Sequence, residues 1–207
     1  MRGTTPRRRR GLAVKPHRSF NPLLVGGLES RVWVAYYRRE WLSFLRSAVA
    51  LTRHIFGLPL PSTLYGAWLV LRANQQWAPD PGNDPEGARR TMERFYRMVG
   101  KHHHEPTDPR RASELEVEWW RVHRAHQHEN TAEDERSLVA ALTALYSYVY
   151  AVDPADVTVA AEQRTLAMGY SDRWVREGCD PASPLVEQER AALVRSYAGL
   201  LAAVHRA

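Results

Sequence analysis

The chain has 207 residues and a mass of 23.7 kDa, the size of one domain or of one domain with a tail. Its formal charge is +6, but residues 1–28 hold seven cations (Arg2, Arg7, Arg8, Arg9, Arg10, Lys15 and Arg18) and no acid, which leaves the remainder at −1. That distribution argues against a body built to grip a specific nucleic acid, and a single cysteine, Cys179, excludes an intramolecular disulfide and a cysteine-built zinc site.

Residues 1–28 mix Arg, Pro and Gly without a helical period. They are expected to be a disordered basic tail that contacts anionic surfaces weakly. No apolar segment after "RRRR" is long enough for a secretion signal, and no apolar run is long enough to span a bilayer, so a cytoplasmic protein is expected. Residues 29–207 are expected to form one all-α domain. A long aromatic helix over 29–56 comes first, closed by Gly57 and Pro59, and Ser62 caps a second over 63–77.

One device then recurs. Asp84-Pro85, Asp108-Pro109 and Asp153-Pro154 open helices over 85–99, 109–128 and 154–177. Asp accepts a hydrogen bond from the unpaired N–H groups of a first turn, and Pro at the next position loses nothing, because its missing N–H would go unpaired there. Ser183-Pro184 opens the last helix, ending near residue 206. Residues 102–105, "HHHE", read as a solvated loop between Gly100 and Pro106. Residues 138–152 carry no charge and read as a buried central helix. The fold expected is about six or seven helices around that apolar one, with no strand pattern and no nucleotide-binding glycine motif.

The candidate site is "ELEVEWWRVHRAHQHE", residues 114–129. On a helix of about 100° per residue, Leu115, Trp119, Val122 and His126 share one stripe, and Glu116, Trp120, His123 and Gln127 the adjacent one. Both stripes face inward, while Glu118, Arg121, Arg124 and His128 face water. His123, one turn beyond the tryptophans, is either a ligand or a core histidine satisfied by a hydrogen bond. No Glu stands three residues before a histidine here, so the Glu-x-x-His pair of a di-iron bundle is missing. Arg164, Asp172 and Arg173 read as a structural ion pair on their helix, and Arg38, Arg39 and Glu40 as a solvated face.

Three stretches, "DPEGARRTMERFYRMVG" (84–100), "WWRVHRAHQ" (119–127) and "SLVAALTALYSYVYAV" (137–152), resemble the haem-containing rubber-oxygenase (latex-clearing protein) superfamily over residues 84–175. The resemblance implies haem b with His123 as axial ligand, Glu116, Trp119 and Trp120 around the cofactor, and Arg90 and Thr91 as catalytic residues on the distal side. It implies an oxygenase-type oxidoreductase acting on an apolar small molecule. The alternative is a non-catalytic helical module that binds a ligand or a protein. A third reading is a non-haem iron enzyme using Glu116, His123 and His126 with carboxylates from Glu29 or Glu40. These readings leave open whether the chain is an enzyme and whether it forms a homo-oligomer.

Overall fold

Each Asp-Pro start expected above is where the backbone enters a helix. Asp84 accepts from Gly87 N at 2.7 Å, Asp108 from Arg110 N at 3.0 Å and Asp153 from Ala155 N at 2.9 Å, and Ser183 takes Leu185 N at 3.3 Å. The computed structural model describes residues 18–206 apart from Asn130, and among these the secondary structure is eight helices and no strand. They are α1 (Pro22–Tyr37), α2 (Trp41–Phe56), α3 (Leu60–Trp77), α4 (Pro85–His103), α5 (Pro109–Glu129), α6 (Ala132–Tyr150), α7 (Pro154–Arg176) and α8 (Pro184–Arg206). Each packs on the next, α7 on α8 most extensively and α2 on α3 least, and α8 returns to α1, so the helices close a ring. A continuous apolar core from Phe20 and Val25 through Trp119 and Leu142 to Leu200 fills it.

Four expectations are corrected. The folded body begins before residue 29: Asn21 caps α1 through Leu23 N at 3.0 Å, Pro22 follows it, and Phe20 and Val25 are buried. Only residues 1–17 of the expected tail lie outside the described residues. The helix expected over 29–56 is two helices, because Arg39 takes a left-handed φ of 59° and turns the chain between α1 and α2. The "HHHE" tract is not a solvated loop. α4 runs on through His103, which is buried with Nε2 2.6 Å from the Phe56 carbonyl, and His104 ends the helix at φ 53°. The apolar helix, α6, is a wall of the ring: Leu138, Leu142 and Leu145 point inward, while Ala140 and Ala144 face solvent, where a methyl group costs little.

A close approach between α1 and α8 sets the geometry of the site. A Cβ on Gly26 would stand 2.8 Å from the backbone nitrogen of Val194, so only glycine lets these two helices meet at this distance. One turn on from Gly26, Glu29 is carried against α8.

Candidate functional site

Four helices present side chains to one cavity of about 60 Å³, and on each the residues recur one turn apart. α1 supplies Glu29, Trp33 and Tyr37; α5 supplies Trp119 and His123; α7 supplies Arg164, Met168 and Asp172; α8 supplies Glu189 and Leu193.

At one end Arg164 forms a bidentate pair with Glu29, its Nη1 donating to Oε2 at 2.8 Å. Tyr197 donates to the same carboxylate oxygen, and Arg164 Nη1 lies 3.2 Å from the Tyr197 hydroxyl. Burial acts to lower the Arg164 pKa, but Glu29 and the two tyrosines Tyr146 and Tyr197 outweigh it and hold the guanidinium well above its ordinary value, so it is a fixed cation. Beside it, Ser30 donates to Glu189 at 3.3 Å. Burial first, then the nearby Glu29 charge, pushes the Glu189 carboxyl up to about 8.

At the other end His123 Nε2 lies 3.1 Å from Asp172 Oδ2, and Gln127 donates to Asp172 Oδ1 at 2.6 Å. Burial acts to raise the Asp172 carboxyl, but the hydrogen bond and charge of His123, with Gln127 and Arg176, hold it below the ordinary range. Trp119 packs its indole on His123, with ring centroids 6.3 Å apart, and lies 6.0 Å from the Arg164 guanidinium, so it bridges the two ends. Burial, then the Asp172 charge, pushes the Tyr37 hydroxyl up to about 12, which keeps it a hydrogen-bond donor.

The remaining sequence candidates lie elsewhere. Glu116 accepts from Tyr96 Oη at 2.6 Å and from Trp119 Nε1 at 3.1 Å, toward α4. Trp120 is buried with its ring 6.1 Å from Trp77. His126 is half-buried, and its buried Nδ1 has no hydrogen-bond partner among the described residues. His128 is exposed, as its position on the helix predicts. Arg90 is exposed on α4, and Thr91 is buried there, donating to Gln76 on α3 at 2.7 Å, so neither faces His123. Glu40 is exposed and paired with Arg38.

A porphyrin does not fit this arrangement as it stands. Sites for cofactor-sized molecules run to roughly 300–1,000 Å³, several times the space beside His123. The Nε2 of His123 is committed to Asp172, and Arg90 and Thr91 are on another face of the ring. The carboxylate behind the imidazole is what a metal-ligating histidine usually has, yet no group of three His, Cys, Asp or Glu side chains among the described residues is placed to hold a metal ion. The iron set of Glu116, His123 and His126 is not assembled, because Glu116 is engaged by Tyr96 and Trp119, and His123 by Asp172.

Reading the sequence missed Glu29, Arg164, Asp172 and Glu189 as one constellation. The signal was there in part: Glu29 and Glu189 are charged residues on stripes otherwise made of large apolar side chains, Glu29-Trp33-Tyr37 and Glu189-Leu193-Tyr197. Compared with known proteins, the chain matches no family model, no curated protein and no solved structure.

Proposed function

We propose that the chain is a helical ligand-binding protein that takes a small, neutral or cationic polar molecule into the cavity among α1, α5, α7 and α8. The observation that carries this reading is the convergence of Glu29, His123, Arg164, Asp172 and Glu189 on one small space inside an apolar core. Burying such groups costs several kcal/mol each, and apolar side chains of the same volume would fill the space without that cost. Perturbed ionisable groups gathered at a cavity are the physical mark of a site.

The charges choose the ligand. Arg164 is paired with Glu29, and Glu189 keeps its proton below about pH 8, so Asp172 is the carboxylate that sets the sign: an added anion meets repulsion and a cation does not. The rings of Trp33, Tyr37 and Trp119 line the same space and attract a cation through their faces. The volume holds only a few heavy atoms, since an apolar cavity that takes up benzene runs to about 150 Å³. Asp172 holds the His123 imidazole in one orientation at the edge of this space.

Titration with methylammonium and, separately, acetate tests the reading, with the His123 ring signals followed by NMR and assigned through His123→Ala. Methylammonium is expected to shift those signals, and Asp172→Asn to weaken its binding about tenfold, the equivalent of one lost charge-assisted contact. Tighter binding of acetate would reverse the charge assignment. Added haemin giving a Soret band that His123→Ala abolishes would show that the ring opens for a porphyrin, and the oxygenase reading would replace this one. Silence toward all three probes would leave the cluster a structural network.

A further inference from the structure

Helix α2 turns Leu51, Ile55 and Phe56 to the core but, nearer its start, leaves large apolar side chains outside. Its buried residues are Ser47 and Thr52, while Trp41, Leu42 and Leu45 are exposed, Leu42 to 72%. Thr52 is satisfied inside its own helix, donating to the Ala48 carbonyl at 2.9 Å. Helix α3 buries Leu69 and Ala73 and also leaves large apolar side chains outside. Leu60, Leu64, Tyr65 and Trp68 are exposed, Trp68 to 52%, with the Tyr65 and Trp68 rings stacked 5.8 Å apart. The charge of this part of the chain is one-sided: residues 31–79 hold six arginines and one acid, Glu40, which Arg38 already engages. Residues 41–77, the two helices and their turn, hold Arg46, Arg53 and Arg72 and no acid at all.

We propose that the outward faces of α2 and α3 dock on an anionic lipid surface. Apolar and aromatic side chains beside cations, with no acid among them, are what an interfacial helix presents. The leucines enter the acyl boundary, the Trp and Tyr rings rest at the headgroup level, and Arg46, Arg53 and Arg72 meet lipid phosphates. No helix among the described residues is long and apolar enough to cross a membrane, so the contact is superficial. A second copy of the chain is a poorer occupant. A two-fold interface sets each patch against itself, and these helices would bring arginine to arginine with no carboxylate between them. Nucleic acid fits less well too, because exposed leucines on both helices find no partner on a phosphate backbone.

Flotation of the full chain with phosphatidylcholine vesicles, with and without phosphatidylserine at roughly one part in four, tests the proposal. The chain is expected to float with the anionic vesicles and less with the neutral ones. Because residues 1–17 add further arginines, the apolar contribution is read at about 0.5 M salt, where exposed charges are screened within a few ångströms. There Leu42→Ser/Leu64→Ser/Trp68→Ser is expected to lower partitioning about tenfold or more with unchanged helical content, since all three side chains face solvent. At low salt Arg46→Glu/Arg53→Glu is expected to lower it as well. Equal flotation of the triple variant would overturn the proposal and move binding to the arginine-rich leading residues, and no flotation at all would also overturn it. So would a dimer in analytical ultracentrifugation that the triple variant turns into monomer, which would make a second copy the occupant. Retention on immobilised polyglutamate without vesicle binding would point to an acidic protein instead.

Discussion

Glu189 sits two per cent exposed on α8, within the field of a second carboxylate, and these two facts make its contribution to stability depend on pH. Desolvation, then Glu29, raises its pKa from 4.5 to about 8, while Ser30 and Arg164 pull the other way and lose. Between these values the folded chain holds a proton that the unfolded chain has released. Stability from this group is therefore complete below about pH 4.5 and lost progressively as pH rises to about 8. Asp172 acts with the opposite sign. Its carboxyl is lowered, so its contribution is lost only as pH falls below the ordinary aspartate range, outside the Glu189 window. Glu189→Gln keeps an acceptor for Ser30 and removes the proton. Urea denaturation across pH 5–9 is expected to show wild-type stability falling with pH and the variant flatter, the variant being the more stable by a few kcal/mol at the alkaline end. Parallel curves would mean that Glu189 ionises without penalty, through water that reaches the site.

At the scale of elements, two adjacent glycines on α1 carry opposite predictions. A methyl group on Gly26 meets the Val194 backbone at 2.8 Å, whereas one on Gly27 meets nothing within 4 Å. Gly26→Ala is expected to cost about 1–3 kcal/mol by forcing α1 off α8, and Gly27→Ala to gain up to about 1 kcal/mol of helix propensity. Thermal melting of the two variants checks this, and equal shifts would deny the close approach. The same pair shows why α1 was not legible in the sequence. Asn21-Pro22 is the very kind of start that marked α4, α5 and α7, but it follows an arginine-rich stretch and precedes two glycines, which locally speak for tail. The turn between α1 and α2 was hidden for the converse reason, since Arg39 adopts a positive φ where the sequence offers neither Gly nor Pro. The inward face of α5 was legible because its tryptophans and His123 recur at helical spacing. The partners of His123 were not, because Asp172, Arg164 and Glu29 belong to other helices and are joined to it only by tertiary packing.

For the molecule as a whole, the question is where the independent folding unit begins. Expecting the tail to reach residue 28 implies that a chain starting at residue 27 melts like one starting at residue 18, and the packing of residues 18–26 opposes this. Arg18 donates to the Tyr150 carbonyl at 2.9 Å and pairs with Glu105 at 3.5 Å, and its own carbonyl receives His205 Nε2 at 2.6 Å. These contacts join the segment that enters α1 to the ends of α6 and α8 and to the turn after α4, so one short segment ties together three parts of the ring. Phe20 is buried with its ring 5.7 Å from that of Tyr197, edge to face, and Tyr197 in turn holds the Glu29 carboxylate of the site. Removing a buried phenylalanine alone costs about 3–5 kcal/mol, and Val25, fully buried, adds to it. A chain starting at residue 27 is therefore expected to be less stable than one starting at residue 18 by more than about 3 kcal/mol in urea, with an altered near-ultraviolet signal from the aromatic groups around Tyr197. Phe20→Ala in the full-length chain should reproduce a large part of that loss. Equal unfolding midpoints for the two truncated chains would mean that residues 18–26 lie on a body already complete without them, and that the Tyr197–Glu29–Arg164 cluster needs no support from the segment that precedes it.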